Sequence, residues 1–180
     1  MNAFVGLDTR YSIRSVIGTG AYGIVASAID RGKGSKVAVK VISNADEDSE
    51  ITRKIIREIF LLHSLGSQYV IPLVDIQVIG KNVAIMTEYS DFSLQHLIYD
   101  DVAINLIRKT SDFRWISFQI LKALEYLHFR NVVHRDIKPG NILMTSNLSV
   151  KLCDFGISRV INVNQKIIEK IPFLTEYVVT

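Results

Sequence analysis

The feature that most constrains the fold is a pair of short apolar runs that carry polar residues at their outer ends. The runs cover residues 142–144 and 150–152, and the stretch TSNLS between them is typical of a turn. Antiparallel pairing places the residue that enters the first strand, Asn141, beside Asp154, which follows the second strand. The sequence therefore predicts a hairpin that brings an amide and a carboxylate together.

These two side chains are suited to hold a magnesium ion. An amide oxygen and a carboxylate are hard ligands, and water or phosphate oxygens fill the other positions around Mg²⁺. Asp136 precedes Asn141 on the same loop, near enough to accept a hydrogen bond from an incoming hydroxyl, and Lys138 can meet a transferring phosphate. A surface turn of mixed charges explains one such loop but not both.

The first part of the chain predicts a small antiparallel sheet. Residues 11–42 hold β-branched runs and an alternating VAVKVI, which indicate a three-stranded meander. Residues 51–65 have helical spacing, and residues 70–78 and 83–87 predict two further strands. The expected unit is a five-stranded sheet with one helix.

Three glycines of this sheet, Gly18, Gly20 and Gly23, form a G-x-G-x-x-G pattern. In a dinucleotide-binding fold the pattern opens a helix, whereas here an alternating run follows, which favours a hairpin loop. Such a loop can fold over phosphates because no Cβ keeps its backbone N–H groups away. Taken alone, the pattern is structural about as often as functional.

Two charged residues occupy positions where apolar residues are expected. Lys40 shares a strand face with Ala38 and Ile42, and Glu58 lies within the apolar stripe of the predicted helix. Each residue alone is better explained as a long side chain that reaches solvent. Together they predict an ion pair that directs Lys40 toward phosphates, because each charge is costly to bury without the other.

The second part of the chain is predicted to be mainly helical. A short helix is expected over residues 94–99 and a long amphipathic helix over residues 112–129. The apolar stripe of the long helix is predicted to consist of Phe113, Ile116, Ile120, Leu124 and Leu127. We place a boundary near residue 90, which divides the chain into residues 1–90 and 91–180.

Charge and hydropathy narrow the possible partners. The 21 Lys and Arg residues exceed the 18 Asp and Glu residues only slightly and are spread along the chain, which argues against a nucleic-acid partner. The mean hydropathy is +0.24, yet no apolar run is long enough to cross a bilayer, and the start shows no secretory signal. The expected location is therefore the cytoplasm or the nucleus, without membrane attachment.

Taken in order, these motifs resemble those of eukaryotic protein kinases. The series comprises the glycine loop with Val25, VAVK, the helix glutamate, HRDIKPGN and DFG. IGTGAYGIV, NVVHRDIKPGNIL and FLTEYVVT resemble the MAP kinases, particularly the extracellular-signal-regulated branch with its Thr-Glu-Tyr motif. The resemblance implies an α+β, bilobal fold: residues 1–90 form the ATP-binding lobe, and residues 91–180 form part of a mainly helical second lobe.

The resemblance also implies an activity, namely ATP- and Mg²⁺-dependent phosphorylation of serine or threonine in a protein substrate. Asp136, Lys138, Lys40 and Glu58 would be catalytic, while Asn141 and Asp154 would hold the metal. Thr87 would guard the pocket behind adenine, and residues 88–90 would form the hinge that bonds its edge. The residues expected to contact ATP are Ile17, Gly18, Gly20, Gly23, Val25, Ala38, Lys40, Glu88 and Ser90.

Activation is implied in the same way. Thr175 and Tyr177 would be phosphorylated by an upstream kinase. Arg57, Arg135 and Arg159 would gather around phosphorylated Thr175, since guanidinium groups match phosphate oxygens and can order a segment. Considered singly, each arginine is a solvated surface charge.

Three departures from the family pattern qualify these expectations. Ser93 stands where an acidic residue often contacts ribose, and the stretch INVNQKIIEKIP is longer and more apolar than the family pattern. The sequence ends at Thr180, before the A-P-E element and the helices that normally follow. The alternative function is therefore a non-catalytic, pseudokinase-like module that binds nucleotide or a partner, and we expect little or no phosphate transfer by the isolated chain.

Overall fold

The computed structural model describes residues 2–20, 23–99 and 109–161. A five-stranded antiparallel sheet in the order β1-β2-β3-β5-β4 occupies the first part of the chain. Its strands are β1 (Tyr11–Gly20), β2 (Gly23–Asp30), β3 (Ser35–Ile42), β4 (Leu73–Ile79) and β5 (Asn82–Glu88). The meander predicted over residues 11–42 is present, and the glycine pattern joins two strands as expected.

Alternation along β3 gives the sheet two different faces. Val37, Val39 and Val41 point into an apolar cluster with Tyr11 and Met86, and all five side chains are buried. Lys40 lies on the opposite face, where Ile42 belongs to a second, larger cluster. The strand therefore presents a lysine to the side of the sheet on which the helix packs.

Strand β4 begins three residues later than predicted, because Val70 and Ile71 belong to a different contact. Val70 forms a parallel bridge with Leu152, and the Ile71 N–H donates to the Leu152 carbonyl at 3.0 Å. Pro72 has no N–H to donate, and its carbonyl accepts from the Glu88 N–H at 3.0 Å. The sheet resumes only after this proline, at Leu73.

The predicted helix, α1, spans Ser49–Ser64. Asp48 caps its N-terminus, since the Asp48 side chain accepts a hydrogen bond from the Glu50 N–H at 2.7 Å. Ile55, Glu58, Leu61 and Leu62 form the buried face. The apolar residues of this face join the large cluster with Ile85 from the sheet, which holds Glu58 opposite β3.

Two further helices and two small sheets follow. The helices are α2 (Leu94–Tyr99) and α3 (Thr110–Phe129), and residues Pro139–Asn141 form one 3₁₀ turn. The strands are β6 (Phe92–Ser93), β7 (Val132–Val133), β8 (Ile142–Met144), β9 (Val150–Leu152) and β10 (Arg159–Val160). The β8–β9 hairpin spans the predicted residues, and the α+β architecture is confirmed.

The predicted stripe of α3 is wrong at Phe113, which is 54% exposed in the first turn of the helix. Ile116 and Leu127 are buried as expected, whereas Gln119 and Ala123 complete the buried face. Gln119 is buried because it satisfies the hairpin backbone. Its Nε2 donates to the Leu148 carbonyl at 2.7 Å, and its Oε1 accepts from the Val150 N–H at 3.2 Å.

A salt-bridge cluster at one end of the sheet was not predicted. Asp30 is inaccessible to solvent and accepts hydrogen bonds from Arg10 Nε at 2.7 Å and Arg10 Nη2 at 2.6 Å. The Arg10 guanidinium, assisted by the backbone N–H groups of Gly32 and Lys33, lowers the pKa of Asp30 to about 2 against the opposing effect of burial. The β2–β3 turn is thereby fastened to the start of β1.

Within residues 2–20, 23–99 and 109–161, none of the helices combines the length and the apolar character that a membrane span requires.

Candidate active site

A cleft of about 690 Å³ lies between the sheet and the β8–β9 hairpin. This volume is in the range of pockets that hold a small organic ligand. All nine residues predicted to contact ATP line the cleft, and they are Ile17, Gly18, Gly20, Gly23, Val25, Ala38, Lys40, Glu88 and Ser90. Glu58, Thr87, Lys138, Asn141 and Asp154 line it as well.

Of the three glycines that line the cleft, the fold requires glycine at one position only. Gly23 has φ +150°, and a Cβ there would lie 2.2 Å from the Val41 carbonyl oxygen, so the fold itself requires glycine. A Cβ on Gly18 or Gly20 would meet nothing within 4 Å among the described residues. Packing among the described residues therefore gives no reason for glycine at positions 18 and 20. Both glycines line the cleft.

The predicted ion pair between Lys40 and Glu58 is present. Lys40 Nζ donates to both carboxylate oxygens of Glu58, at 2.9 and 2.8 Å, and lies 3.5 Å from Asp154 Oδ1. Burial alone would lower the pKa of Lys40, but attraction to Glu58 and Asp154 outweighs it, and the pKa is raised. The ammonium group is therefore charged and fixed between β3, α1 and the segment after β9.

The hairpin brings Asn141 and Asp154 together as predicted. The Cys153 N–H donates to the Asn141 carbonyl at 3.1 Å, which places the next residue, Asp154, beside Asn141. Asp154 has φ +64°, a left-handed conformation that aspartate adopts more readily than most residues with a Cβ. The left-handed turn comes directly after the Cys153 N–H bond to Asn141, at the point where the chain leaves the hairpin.

Asn141 is oriented by Asp136. Its Nδ2 donates to the Asp136 carbonyl at 2.9 Å and to Asp136 Oδ2 at 2.8 Å. Both amide hydrogens are thereby used, and the amide oxygen remains as an acceptor. Asp136 Oδ2 also accepts from Lys138 Nζ at 2.7 Å. Asp136 does not line the main cleft but a neighbouring cavity of about 220 Å³, which Lys40, Glu58, Lys138 and Asp154 also line.

His134, which was not among the predicted site residues, organises this loop. It is 2% exposed and packs against Phe155 with 4.8 Å between ring centroids. Its Nδ1 accepts from the Asp136 N–H at 3.2 Å, so the hydrogen of the neutral ring lies on Nε2, 2.9 Å from the Cys153 carbonyl. Burial lowers the pKa of His134, against the effect of the Cys153 carbonyl and the nearby carboxylates.

Cys153 precedes Asp154 at the floor of the cleft. Burial, followed by the neighbouring Asp154 carboxylate, raises the pKa of its thiol to about 12. The thiol is therefore protonated at neutral pH, as expected of a small buried residue and not of a nucleophile.

Two lysines contact the predicted hinge. Lys151 Nζ on β9 donates to both carboxylate oxygens of Glu88 at 2.8 Å, and Lys36 Nζ lies 3.6 Å from the centroid of the Tyr89 ring. The Ser90 hydroxyl donates to the Met144 carbonyl at 2.6 Å. The hinge is thereby bonded both to the sheet and to the hairpin.

Ser93, which stands where the family pattern often has an acidic residue, is hydrogen-bonded to a histidine. It is 6% exposed, and its hydroxyl lies 2.8 Å from His96 Nδ1. The Ser93 N–H also donates to His96 Nδ1, at 3.2 Å. The N–H and the hydroxyl of Ser93 are thus both directed to His96, which lies in the first turn of α2. Ser93 and His96 both line the cleft.

Arg57, Arg135 and Arg159 come from three separate segments and lie close enough to interact. Burial lowers the pKa of Arg135, and repulsion from Arg159 and Arg57 lowers it further. Arg57 Nη1 donates to the Gly156 carbonyl at 2.8 Å, and Arg135 has φ +69°. The predicted phosphorylation sites, Thr175 and Tyr177, lie outside the described residues, as does most of the stretch INVNQKIIEKIP.

A paired lysine and glutamate, a glycine hairpin, and an amide beside a carboxylate lie around one cleft, an arrangement typical of the protein kinase class. Comparison with known proteins agrees: residues 11–180 match the protein kinase domain, and the chain belongs to that family. Its relatives include mitogen-activated protein kinase homologues from Nicotiana tabacum and Petunia hybrida, each 37% identical over 97% of this chain. Mitogen-activated protein kinase 7 of Arabidopsis thaliana is also 37% identical, again over 97% of the chain.

The aligned region amounts to 45%, 44% and 46% of the length of these three relatives. The chain therefore spans somewhat less than half of the kinases that it resembles. The kinase-like α+β fold expected from the motifs is confirmed by this family assignment and by the five-stranded sheet with its helix.

Proposed function

We propose that this chain forms the ATP-binding and catalytic part of a serine/threonine protein kinase of MAP-kinase type. The observation that carries the proposal is the position of Lys40 Nζ, between Glu58 and Asp154 inside the cleft. The ammonium compensates the buried Glu58 carboxylate and also faces the open cleft, where it can meet a polyphosphate. We place the ATP-binding lobe at residues 1–90 and the catalytic loop in residues 91–180.

In this proposal ATP lies between the hinge and the glycine hairpin. The adenine edge meets the backbone near Glu88 and Ser90, while Ile17, Val25 and Ala38 supply apolar contacts. The open space beside Gly18 and Gly20 lets the hairpin backbone approach the phosphates. Glu58 holds Lys40 in position for the α and β phosphates.

The donor set beside the phosphate end fits magnesium. Asp154 offers a carboxylate, and Asn141 offers its amide oxygen because both amide hydrogens are bonded to Asp136. Asn141 and Asp154 would hold the ion. When bound, Mg²⁺ supplies charge neutralisation on the phosphate oxygens.

Asp136 accepts the proton of the substrate hydroxyl. The hydroxyl oxygen bonds to the γ-phosphorus as the bond from that phosphorus to the ADP oxygen breaks, and the hydroxyl proton passes to Asp136. Lys138, now bonded to Asp136, is long enough to contact the transferring phosphoryl group as well. Positioning and charge neutralisation account for most of the expected rate.

Regulation follows the family pattern in this proposal. An upstream kinase phosphorylates Thr175 and Tyr177, and the Arg57, Arg135 and Arg159 cluster receives the phosphate on Thr175. Burial lowers the pKa of Arg135 most, and repulsion from Arg159 and Arg57 lowers it further. The repulsion supports such a cluster, because a bound anion would relieve it. The proposed location is the cytoplasm or the nucleus.

The proposed role of Lys40 is tested by measuring how tightly the Lys40→Met variant of this chain binds Mg-ATP. We expect Mg-ATP affinity, measured by titration calorimetry, to fall about tenfold or more, because a charge-assisted contact is lost. Lys81→Met is the matched control, since Lys81 pairs with Glu47 on the surface and is not among the residues that line the cleft.

Unfolding of Lys40→Met could mimic this loss, since Glu58 would remain buried without its partner. The double variant Lys40→Met/Glu58→Gln removes that unpaired carboxylate. Its Mg-ATP affinity is compared with that of the parent chain at a temperature where thermal denaturation shows both to be folded. Unchanged Mg-ATP affinity in the folded double variant would refute the proposed role of Lys40.

A further inference from the structure

The outer face of α3 carries two apolar side chains flanked by opposite charges. Successive turns of this face present Arg114, Phe118, Leu121 and Glu125, which are spaced 4, 3 and 4 residues apart. All four side chains are exposed, on the side of the helix opposite its buried residues. Phe118 stacks on Trp115 with 5.6 Å between ring centroids, which restricts the orientation of its ring. Exposed apolar side chains arranged in this way form a candidate contact surface.

The spacing of these four residues is symmetric about the middle of the face. In either direction along the helix, a charged residue is followed by two apolar residues and then by a residue of the opposite charge. A symmetric contact between identical surfaces brings residue i of one copy to residue j of the other, and j to i. In an antiparallel pair of these helices, Arg114 of each copy therefore lies opposite Glu125 of the other. Phe118 of each copy lies opposite Leu121 of the other.

The charges of this face select both the partner and its direction. A parallel copy would bring Arg114 against Arg114 and Glu125 against Glu125, and like charges across an interface are unfavourable. A partner of one charge sign would be attracted at one end of the face and repelled at the other. Glu125 also contacts Lys122 of its own chain, but a carboxylate has acceptor capacity for a second cation. The pattern therefore favours a second, antiparallel copy of this chain.

We propose that two copies of this chain form a two-fold symmetric dimer through the outer faces of their α3 helices. Phe118 and Leu121 form the apolar centre of the contact, and the two pairs of Arg114 with Glu125 form its ends. A single helix pair is smaller than a standard protein interface, so we expect a dissociation constant of about 1–100 µM. Below this range the chain is monomeric, and unfolding measured there reports the monomer alone. The inference is independent of the proposed nucleotide binding.

Sedimentation equilibrium of the intact chain, at concentrations from about 1 to 200 µM, tests the inference through charge reversal. Arg114→Glu brings two carboxylates together at each end of the dimer, so we expect the dissociation constant to rise about tenfold or more. Glu125→Arg does the same with two guanidinium groups. The double variant Arg114→Glu/Glu125→Arg exchanges the charges and returns the dissociation constant toward that of the parent. Arg53→Glu, which reverses an exposed arginine of α1, is the control and leaves the constant unchanged.

The substituted residues are exposed, so the variants should fold as the parent does, which far-UV circular dichroism at low concentration checks. A parent chain that stays monomeric over the whole concentration range would overturn the inference. Association that continues beyond the dimer would overturn it as well, because a two-fold contact closes at two copies. If the double variant remains as weakly associated as the single variants, the antiparallel pairing is wrong. Mg-ATP titration of the same samples reports the proposed function separately.

Discussion

At the residue scale, the catalytic loop is a set of side chains that fix one another. The Asp136 N–H donates to His134 Nδ1, and the Asp136 carboxylate accepts from Lys138 and Asn141. Asn141 gives up both amide hydrogens to Asp136 and keeps its oxygen for another partner. Each group is thereby restricted to one orientation before any ligand is bound, which lowers the cost of assembling the site.

Substitution of Asp136 by asparagine keeps the shape of the side chain and removes its basicity. In a chain extended to the full length of its relatives, we expect turnover to fall about 10²-fold or more. Affinity for nucleotide without Mg²⁺ should change little, because Asp136 is not among the residues that line the main cleft. Asp46→Asn, in the exposed turn before α1, is the control for the kinase assay.

Equal turnover of Asp136→Asn and Asp46→Asn would remove Asp136 from the proposed proton-accepting role.

His134 gives the fold a dependence on pH. Its pKa is lowered in the folded chain, so between that value and the ordinary 6.5 the unfolded state binds more protons. The free energy of unfolding therefore falls as the pH drops through 6.5 and levels off below the folded pKa. We expect the His134 imidazole resonance, assigned by its loss in His134→Gln, to titrate below pH 6.5.

A titration midpoint above 6.5 would contradict the assignment of a neutral, buried ring that accepts a hydrogen bond from the Asp136 N–H.

At the element scale, α3 supports the β8–β9 hairpin with one face only. Leu127 is fully buried in the large apolar cluster, whereas Leu121 on the other face of the helix is 66% exposed. Gln119 adds hydrogen bonds to the hairpin turn and strand. The helix therefore fixes the hairpin that carries Asn141 and Asp154 at its ends.

These two leucines form a matched pair for measuring the contribution of that packing. Leu127→Ala should lower the free energy of unfolding by about 2–5 kcal/mol, because a buried cavity is created. Leu121→Ala should change it by less than about 0.5 kcal/mol. Chemical denaturation of both variants measures the difference, and equal losses would show that the buried face of α3 is assigned incorrectly.

Much of this arrangement could be predicted from local patterns. Alternation identified the sheet, helical spacing identified α1 and α2, and the apolar runs identified the hairpin residue by residue. The ion pair of Lys40 with Glu58 was predictable because both residues break the pattern of their own element.

Other features depend on partners distant in sequence and leave no local pattern. From the sequence alone, Gln119 is expected to face solvent, because its partners on the hairpin backbone are about 30 residues away along the chain. Lys151 with Glu88, and Arg10 with Asp30, join segments whose contact follows only from the assembled fold. The two-residue strands β6, β7 and β10 are too short for periodicity to reveal.

At the scale of the whole molecule, the two walls of the cleft are bonded to each other at several points. Lys40 of the sheet reaches Asp154, and Arg57 of α1 reaches the Gly156 carbonyl. Lys151 of the hairpin reaches Glu88 of the sheet. These contacts set the distance between the nucleotide-facing sheet and the magnesium ligands, so the proposed site depends on residues from both walls at once.

Under the proposed function, this cleft binds ATP together with magnesium through Asp154. The most direct test is calorimetric titration of ATP with and without Mg²⁺, into the parent chain and into Asp154→Asn. We predict that Mg²⁺ strengthens ATP binding by the parent and that this gain falls about tenfold or more in the variant. An equal gain in both proteins, or no effect of Mg²⁺ on the parent, would contradict the account.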